Sequence, residues 1–500
     1  LIYEGFRKDP RVSSGTLRKK GAARLSQDTT LQRPDIRPVL HQRGNADAEY
    51  REDIGQTKRF LERFAADAVF REALAQNPRE AAARWGLKRD PEEIRQLWET
   101  PGAGMCAPAQ SLAVARYRAY VEEKRRFAGT HRDMGLPGES RWRAWRNRQI
   151  LRCESHLGPK ARLLVHAPFC IELGKGCSVG CWFCAVSAEK LGDQLPYTAD
   201  NARWWRECLE VLREITGDGA HGGYCYWSND PLDNPDYERF MVDFHDVIGY
   251  FPQTTTAQPD RHVDRVRALL KLAEQKGGVI DRFSVLTLPQ WNRIHEAFDA
   301  AELAFVECIP QNKEAIHPGK VIAGKALEKE KRLVAKGKAE PTPEHQTSTI
   351  ACVSGFYLNM VDRRVQLITP CNACDRWPLG HWLLDEGTFH DAASLRALLL
   401  RMIGDNMKVR LGPDDRVAFR RDLSYEAQDG GFAVTSPFRR HSVKLPQGMH
   451  ALGEAIRAGG STAAELALST GRPLEETFHF LNDLLYSRGL LDEEPAGSHP

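Results

Sequence analysis

Residues 163–184 read LLVHAPFCIELGKGCSVGCWFC, and the fold turns on how this stretch is understood. A short apolar run ends near Ile171, a glycine-rich loop follows, and Cys177, Cys181 and Cys184 then stand in the spacing CxxxCxxC. Thiolates are soft ligands suited to iron–sulfur clusters or zinc. A closed zinc site takes four ligands, usually as two CxxC-like pairs, and only three thiols stand together here. Three thiolates on a four-iron cube leave one iron open to a reacting ligand. The competing readings are zinc with a distant fourth ligand, Cys170 or Cys153, and three plain buried cysteines. Gly174, Gly176 and Gly180 imitate a phosphate loop, but the spacing fails the dinucleotide pattern, so the glycines are assigned to loop geometry.

Outward from the cysteines, residues 160–400 alternate apolar runs with helical stretches. The runs are LLVHAPFCI, GGYCYWSN, FPQTTTAQ, DRFSVLTL and AELAFVECI; the helices fall at 199–216, 235–248, 261–276 and 290–299. This alternation predicts βα units around a parallel sheet, open or partly closed into a barrel. In such folds catalytic groups gather at the C-terminal strand ends, where the cysteine loop belongs. Residues 311–346 are rich in Lys, Glu and Pro and predict an exposed insertion.

CxxxCxxC with Phe183 before the last cysteine resembles the signature of radical S-adenosylmethionine (SAM) enzymes. The resemblance covers roughly residues 160–390. It implies a partial (β/α) barrel, a [4Fe-4S] cluster on Cys177, Cys181 and Cys184, and SAM on the open iron, cleaved to a 5′-deoxyadenosyl radical that abstracts hydrogen atoms. Where the family often carries Gly-Gly-Glu against the cofactor amine, this chain has Tyr226-Trp227-Ser228-Asn229-Asp230-Pro231. Ser228, Asn229 and Asp230 offer oxygen acceptors for that ammonium group; Asn-Asp-Pro is equally turn chemistry. Thr256 and Ser284 are further strand-end candidates for cofactor contacts.

GKGCSVGCWFC, YWSNDPLDNPDY and ITPCNACDRWPLG together resemble the radical SAM peptide epimerases of ribosomal peptide natural-product maturation, of the proteusin type. The implied activity is an isomerase that converts L-residues of a precursor peptide to D-residues. Abstraction of a Cα hydrogen leaves a planar radical, and inversion needs a hydrogen atom from the opposite face. A thiol is the natural donor because its S–H bond is weaker than the C–H bond formed. Cys352, Cys371 and Cys374 are the candidates. Cys371, directly after the run VQLIT and Pro370, is the expected donor, with Cys374 as the fallback. The same three cysteines would hold an auxiliary cluster if the enzyme made thioether or C–C crosslinks instead, although no cysteine follows Cys374. Cys208, Cys225 and Cys308 read as small buried apolar residues. The resemblance also implies an electron donor such as flavodoxin or ferredoxin.

The remaining chain reads as accessory modules. Length, 500 residues, gives a prior of about three domains at ~150 residues each. Residues 1–48 predict a flexible basic arm, with ten Lys/Arg against four Asp/Glu in residues 1–45. Residues 49–158 predict a helical N-terminal region. Its part FLERFAADAVFREALAQNPREAAARWGL resembles Nif11-type leaders of precursor peptides, and an amphipathic helix pair explains it equally. Residues 111–152 carry eleven Lys/Arg among Tyr117, Tyr120, Trp142 and Trp145, read as helices with aromatics inward and arginines in water. Residues 159–400 are the barrel and 401–447 a connecting segment. Residues 448–500 predict a winged-helix-like module, with Ser461-Thr462 capping one helix and Pro473 opening the next. Its low basicity favours a peptide or protein partner, here the precursor peptide, over nucleic acid; a zinc-dependent nucleic-acid binder is the non-enzymatic alternative.

A net charge of +3, 42% hydrophobic and 27% charged residues exclude wholesale disorder and a small disulfide scaffold. No apolar run reaches the ~18 residues of a membrane span. No export signal is visible, and clustered cysteines with an oxygen-labile cluster predict the cytoplasm.

Overall fold

In a computed structural model of the chain, residues 39–40, 46–99, 110–134, 139–447, 449 and 451–494 are described. The predicted arm at 1–48 lies almost wholly outside them. The strands in chain order are β1 (Ala167–Glu172), β2 (Thr255–Thr256), β3 (Asp281–Val285), β4 (Val306–Pro310), β5 (Val353–Asn359), β6 (Arg364–Pro370), β7 (His381–Thr388), β8 (Ser424–Gln428), β9 (Gly431–Thr435) and β10 (Arg440–Lys444). The fold is mixed α/β, in two compact units: Leu1–Gly129 with Gln253–Gly319, and Thr130–Pro252 with Lys320–Pro500.

The first unit holds the parallel sheet β2-β3-β4. Helix Ala48–Ala66 starts at Asp47, whose carboxylate accepts the Tyr50 N–H at 2.7 Å. Gly55 lets this helix approach the Ala300 carbonyl, which a Cβ would meet at 2.1 Å. Pro78 opens a helix as predicted, with Asn77 as its cap. Burial here includes charge: Lys58 pairs with Glu62 at 2.6 Å, and Lys124 with Glu307 at 2.5 Å. Both carboxylates face β4 or lie on it, and Glu62 accepts the Cys308 N–H at 3.3 Å.

The second unit holds the sheet β1-β5-β6-β7, in which β1 and β5 are parallel and the other pairings antiparallel. The expected strand in GGYCYWSN is reduced to one bridge, Tyr224 beside Cys170. Among the described residues no sheet closes on itself, and the predicted parallel strands are divided between two sheets. Helix Ala199–Thr216 matches its predicted span, and Tyr237–Ile248 begins two residues late. Helix Ser140–His156 buries Trp142 and Trp145 as predicted, but Arg146, Arg148 and Arg152 are also buried. The reason is partnership. Arg146 donates to the His166 carbonyl at 2.8 Å, Arg148 pairs with Glu493 at 2.9 Å, and Arg152 stacks on Trp382 at 3.8 Å. A planar guanidinium held by an acceptor, a carboxylate or an aromatic face tolerates burial far better than an unpaired charge.

At the C-terminus β8, β9 and β10 form an antiparallel meander that shares one core with three short helices, including Phe432, Val434, Val443, Ile456, Leu466 and Leu481. Residues 401–447 therefore carry this sheet as well as connecting to it. Thr462 caps its helix in a reciprocal box with Glu465, and Pro473 precedes Leu474–Asn482.

Candidate functional site

β1 ends at Glu172, and the chain then doubles back as a loop. The Cys177 N–H donates to the Glu189 carbonyl at 3.0 Å, and Cys177 bridges Lys190. Gly176 is required at this crossing: its φ is +72°, and a Cβ would lie 2.1 Å from the Lys190 carbonyl oxygen. The Cys184 N–H donates to Cys181 O at 3.2 Å, and the Ala188 N–H points at the Cys184 sulfur at 3.3 Å. The N–H groups of Val179 and Asp230 donate to the Cys177 sulfur. Burial pushes the Cys177 and Cys181 thiols up to about 11. Ser178 ties the loop down through its N–H at 2.9 Å and hydroxyl at 2.5 Å, both donated to Asp233.

Ser228, Asn229 and Asp230 stand in the same unit, against this loop. Asp230 accepts the Leu232 N–H at 3.0 Å and begins the short turn Pro231–Asp233, so the turn chemistry is real. That turn is what carries Asp233 to Ser178 and the Asp230 N–H to Cys177. Asn229 is buried and accepts the Trp227 N–H at 3.4 Å. Ser228 serves Glu172: both its N–H and its hydroxyl, the latter at 2.6 Å, donate to one carboxylate oxygen. The other oxygen accepts Tyr357 at 2.5 Å and Asn359 at 2.9 Å, both from β5. Burial pushes the Glu172 carboxyl up, against these donors. Sequence reasoning missed Glu172. Its signal was a lone carboxylate inside the apolar run FCIEL, a position that demands partners.

Cys371 follows β6. Because β6 runs antiparallel to β5, Pro370 lies at the sheet end where β1 begins, not where it finishes. Residues 323–327 lie between the cysteine loop and the loop that follows β6. Lys325 N–H donates to Cys184 O at 2.9 Å while its neighbour Gly324 N–H donates to Pro378 O at 2.7 Å. Ala185 and Ala373 share a small buried cluster with Ala323 and Leu327. Cys371 is 1% exposed, packed with Cys374, Trp377 and Trp382, and burial pushes its thiol well up. It lines a small cavity with Asn372, Trp382, Glu344 and Arg421. Cys352 packs instead against Cys153. Cys208, Cys225 and Cys308 are buried.

Phe183 meets Trp182 edge-on at 5.3 Å, and the Lys320 ammonium lies 4.4 Å over its ring. Thr256 and Ser284 belong to the first unit: Thr256 ends β2 and accepts the Gln258 N–H at 3.0 Å, and Ser284 pairs with Ile309.

Among the described residues no three His, Cys, Asp or Glu side chains converge as on one metal ion. Three thiols on one loop with N–H groups aimed at sulfur make a donor set of the soft, hydrogen-bonded kind that iron–sulfur clusters and zinc both use.

No family model matches the chain. The protein belongs to the family of y4wI from Sinorhizobium fredii, an uncharacterized protein to which it is 37% identical over 457 residues, 89% of this chain and 88% of that one. A solved structure of BtrN in complex with AdoMet and 2-DOIA covers 48% of this chain and 82% of its own at 14% identity, with a TM-score of 0.28, a likeness too slight to transfer anything. No helix among the described residues is long and apolar enough to cross a membrane.

Proposed function

We propose that the chain is a radical SAM enzyme that inverts residues of a ribosomally made precursor peptide. The observation that carries this reading is the pairing of two features in one unit. One is a loop with three thiols and N–H donors on sulfur. The other is a buried thiol, Cys371, on a loop whose Pro378 is joined to the cysteine loop through Gly324 and Lys325. Cys177, Cys181 and Cys184 would hold the cluster. When bound, cluster and SAM supply a hydrogen-atom abstractor. Ser228–Asp230 would face the cofactor amine, with Glu172 fixing Ser228 in place. Cys371 would return the hydrogen atom. Burial favours this role, because a hydrogen-atom donor must carry S–H, and a raised thiol keeps its proton at neutral pH. The precursor peptide would be held by the terminal modules, and flavodoxin or ferredoxin would supply electrons in the cytoplasm.

The test is anaerobic reaction of the iron-loaded protein with a precursor peptide in heavy water. Each inverted residue should gain one deuterium at Cα, because the donor thiol exchanges with solvent. Absence of both deuterium and D-residues refutes the reading. A peptide lighter by two hydrogens, with more than four irons per chain, favours the crosslinking alternative.

A further inference from the structure

Resting on that reading, a second thiol beside the donor acquires a task. We propose that Cys371 and Cys374 form a reversible dithiol–disulfide pair, in which Cys374 resolves the sulfur radical left when Cys371 has given up its hydrogen atom.

Both cysteines lie on the loop between β6 and β7, and backbone bonds hold that loop at three points. The Cys371 N–H donates to Gly380 O at 3.0 Å, the Cys374 N–H to Trp377 O at 3.3 Å, and the Gly380 N–H to Trp377 O at 3.0 Å. The two side chains share one packed cluster with Trp377 and Trp382. They differ in setting. Cys371 is buried, while Cys374 is half-buried and receives an Arg421 N–H on its sulfur at 3.3 Å. Arg421 is itself held by Glu494 at 3.2 Å. Cys374, the half-exposed member of the pair, is the one an external thiolate can reach.

Cys371 S–H gives one hydrogen atom to the substrate Cα. Cys374 loses its proton and its sulfur bonds to the Cys371 sulfur, and the surplus electron leaves to an oxidised low-potential one-electron carrier. Together the two thiols lose one hydrogen atom, one proton and one electron, which is the stoichiometry of a disulfide. An external dithiol of the thioredoxin class then returns two electrons and two protons by exchange at Cys374.

The direct test needs no turnover. The full-length, iron-loaded protein is equilibrated anaerobically across mixtures of reduced and oxidised dithiothreitol, alkylated, digested and analysed by peptide mass. The expected result is a reversible Cys371–Cys374 linkage in the wild-type chain. Cysteines that stay alkylatable throughout, or that are held by iron beyond four per chain, overturn the proposal. With precursor peptide, C374S should fall at least about tenfold behind wild type when a dithiol supports many turnovers. Equal sustained turnover of C374S overturns the resolving role. A reversible linkage in a protein that makes no D-residues retires the epimerase reading and leaves the redox pair standing.

Discussion

Glu172 is where one residue carries the connection between strands and site. Its carboxylate accepts four hydrogen bonds, from the Ser228 N–H and hydroxyl, Tyr357 and Asn359. E172A leaves these buried donors unpaired and should cost about 3 kcal/mol or more in urea unfolding. E172Q should also lose stability, because its amide nitrogen is a donor turned toward donors. His381 gives a pH prediction. Its ring lies edge-on to Trp227 at 6.0 Å, and burial holds the imidazole down at about 4. A histidine depressed on folding binds fewer protons than its unfolded form. Its contribution is therefore intact above about 6.5 and is lost as the pH falls toward 4. Between pH 7 and 5 the wild-type chain should lose about 2 kcal/mol more than H381N.

At the scale of elements, the cysteine loop is shaped by close backbone approaches. Gly324 has φ +52°, and a Cβ there would sit 2.4 Å from Ala185 O and 2.6 Å from Cys184 O. Gly337 has φ +64° with nothing within 4 Å. G337A meets only the positive-φ backbone cost of about 1 kcal/mol, whereas Gly324, at ψ −128°, lies outside the left-handed well and G324A costs more. Only G324A should also displace Cys184 and lower the iron bound per chain after anaerobic reconstitution; equal iron in the two variants would contradict this account of the loop. These approaches explain what was legible. The cysteine spacing, the helix at 199–216, the Thr462 cap and the Pro78 helix start are local patterns written within a few residues. The partners of Gly324 lie about 140 positions away in sequence and leave no local trace.

At the scale of the molecule, the first unit offers a control on the second. Burial pushes the Glu62 carboxyl up, against the pull of the Lys58 ammonium. K58M leaves that carboxylate buried without its partner and should cost about 3–5 kcal/mol. A carboxyl raised on folding binds more protons folded than unfolded, so the deficit should shrink as the pH falls through its folded value toward 4.5. The iron content of folded K58M should equal wild type, since Cys177, Cys181 and Cys184 belong to the other unit. Sequence by itself determined the mixed α/β character, the three-thiol loop and most helix positions, because each rests on short-range periodicity, capping or spacing. Only the tertiary structure decided that β6 runs antiparallel, that the arginines of 146–152 are buried, that Ser228 answers to Glu172, and that the Cys371 loop meets the cysteine loop through Gly324 and Lys325. Strand direction and the partner of a buried polar group are set by which distant segments pack together, a long-range property that no window of sequence contains.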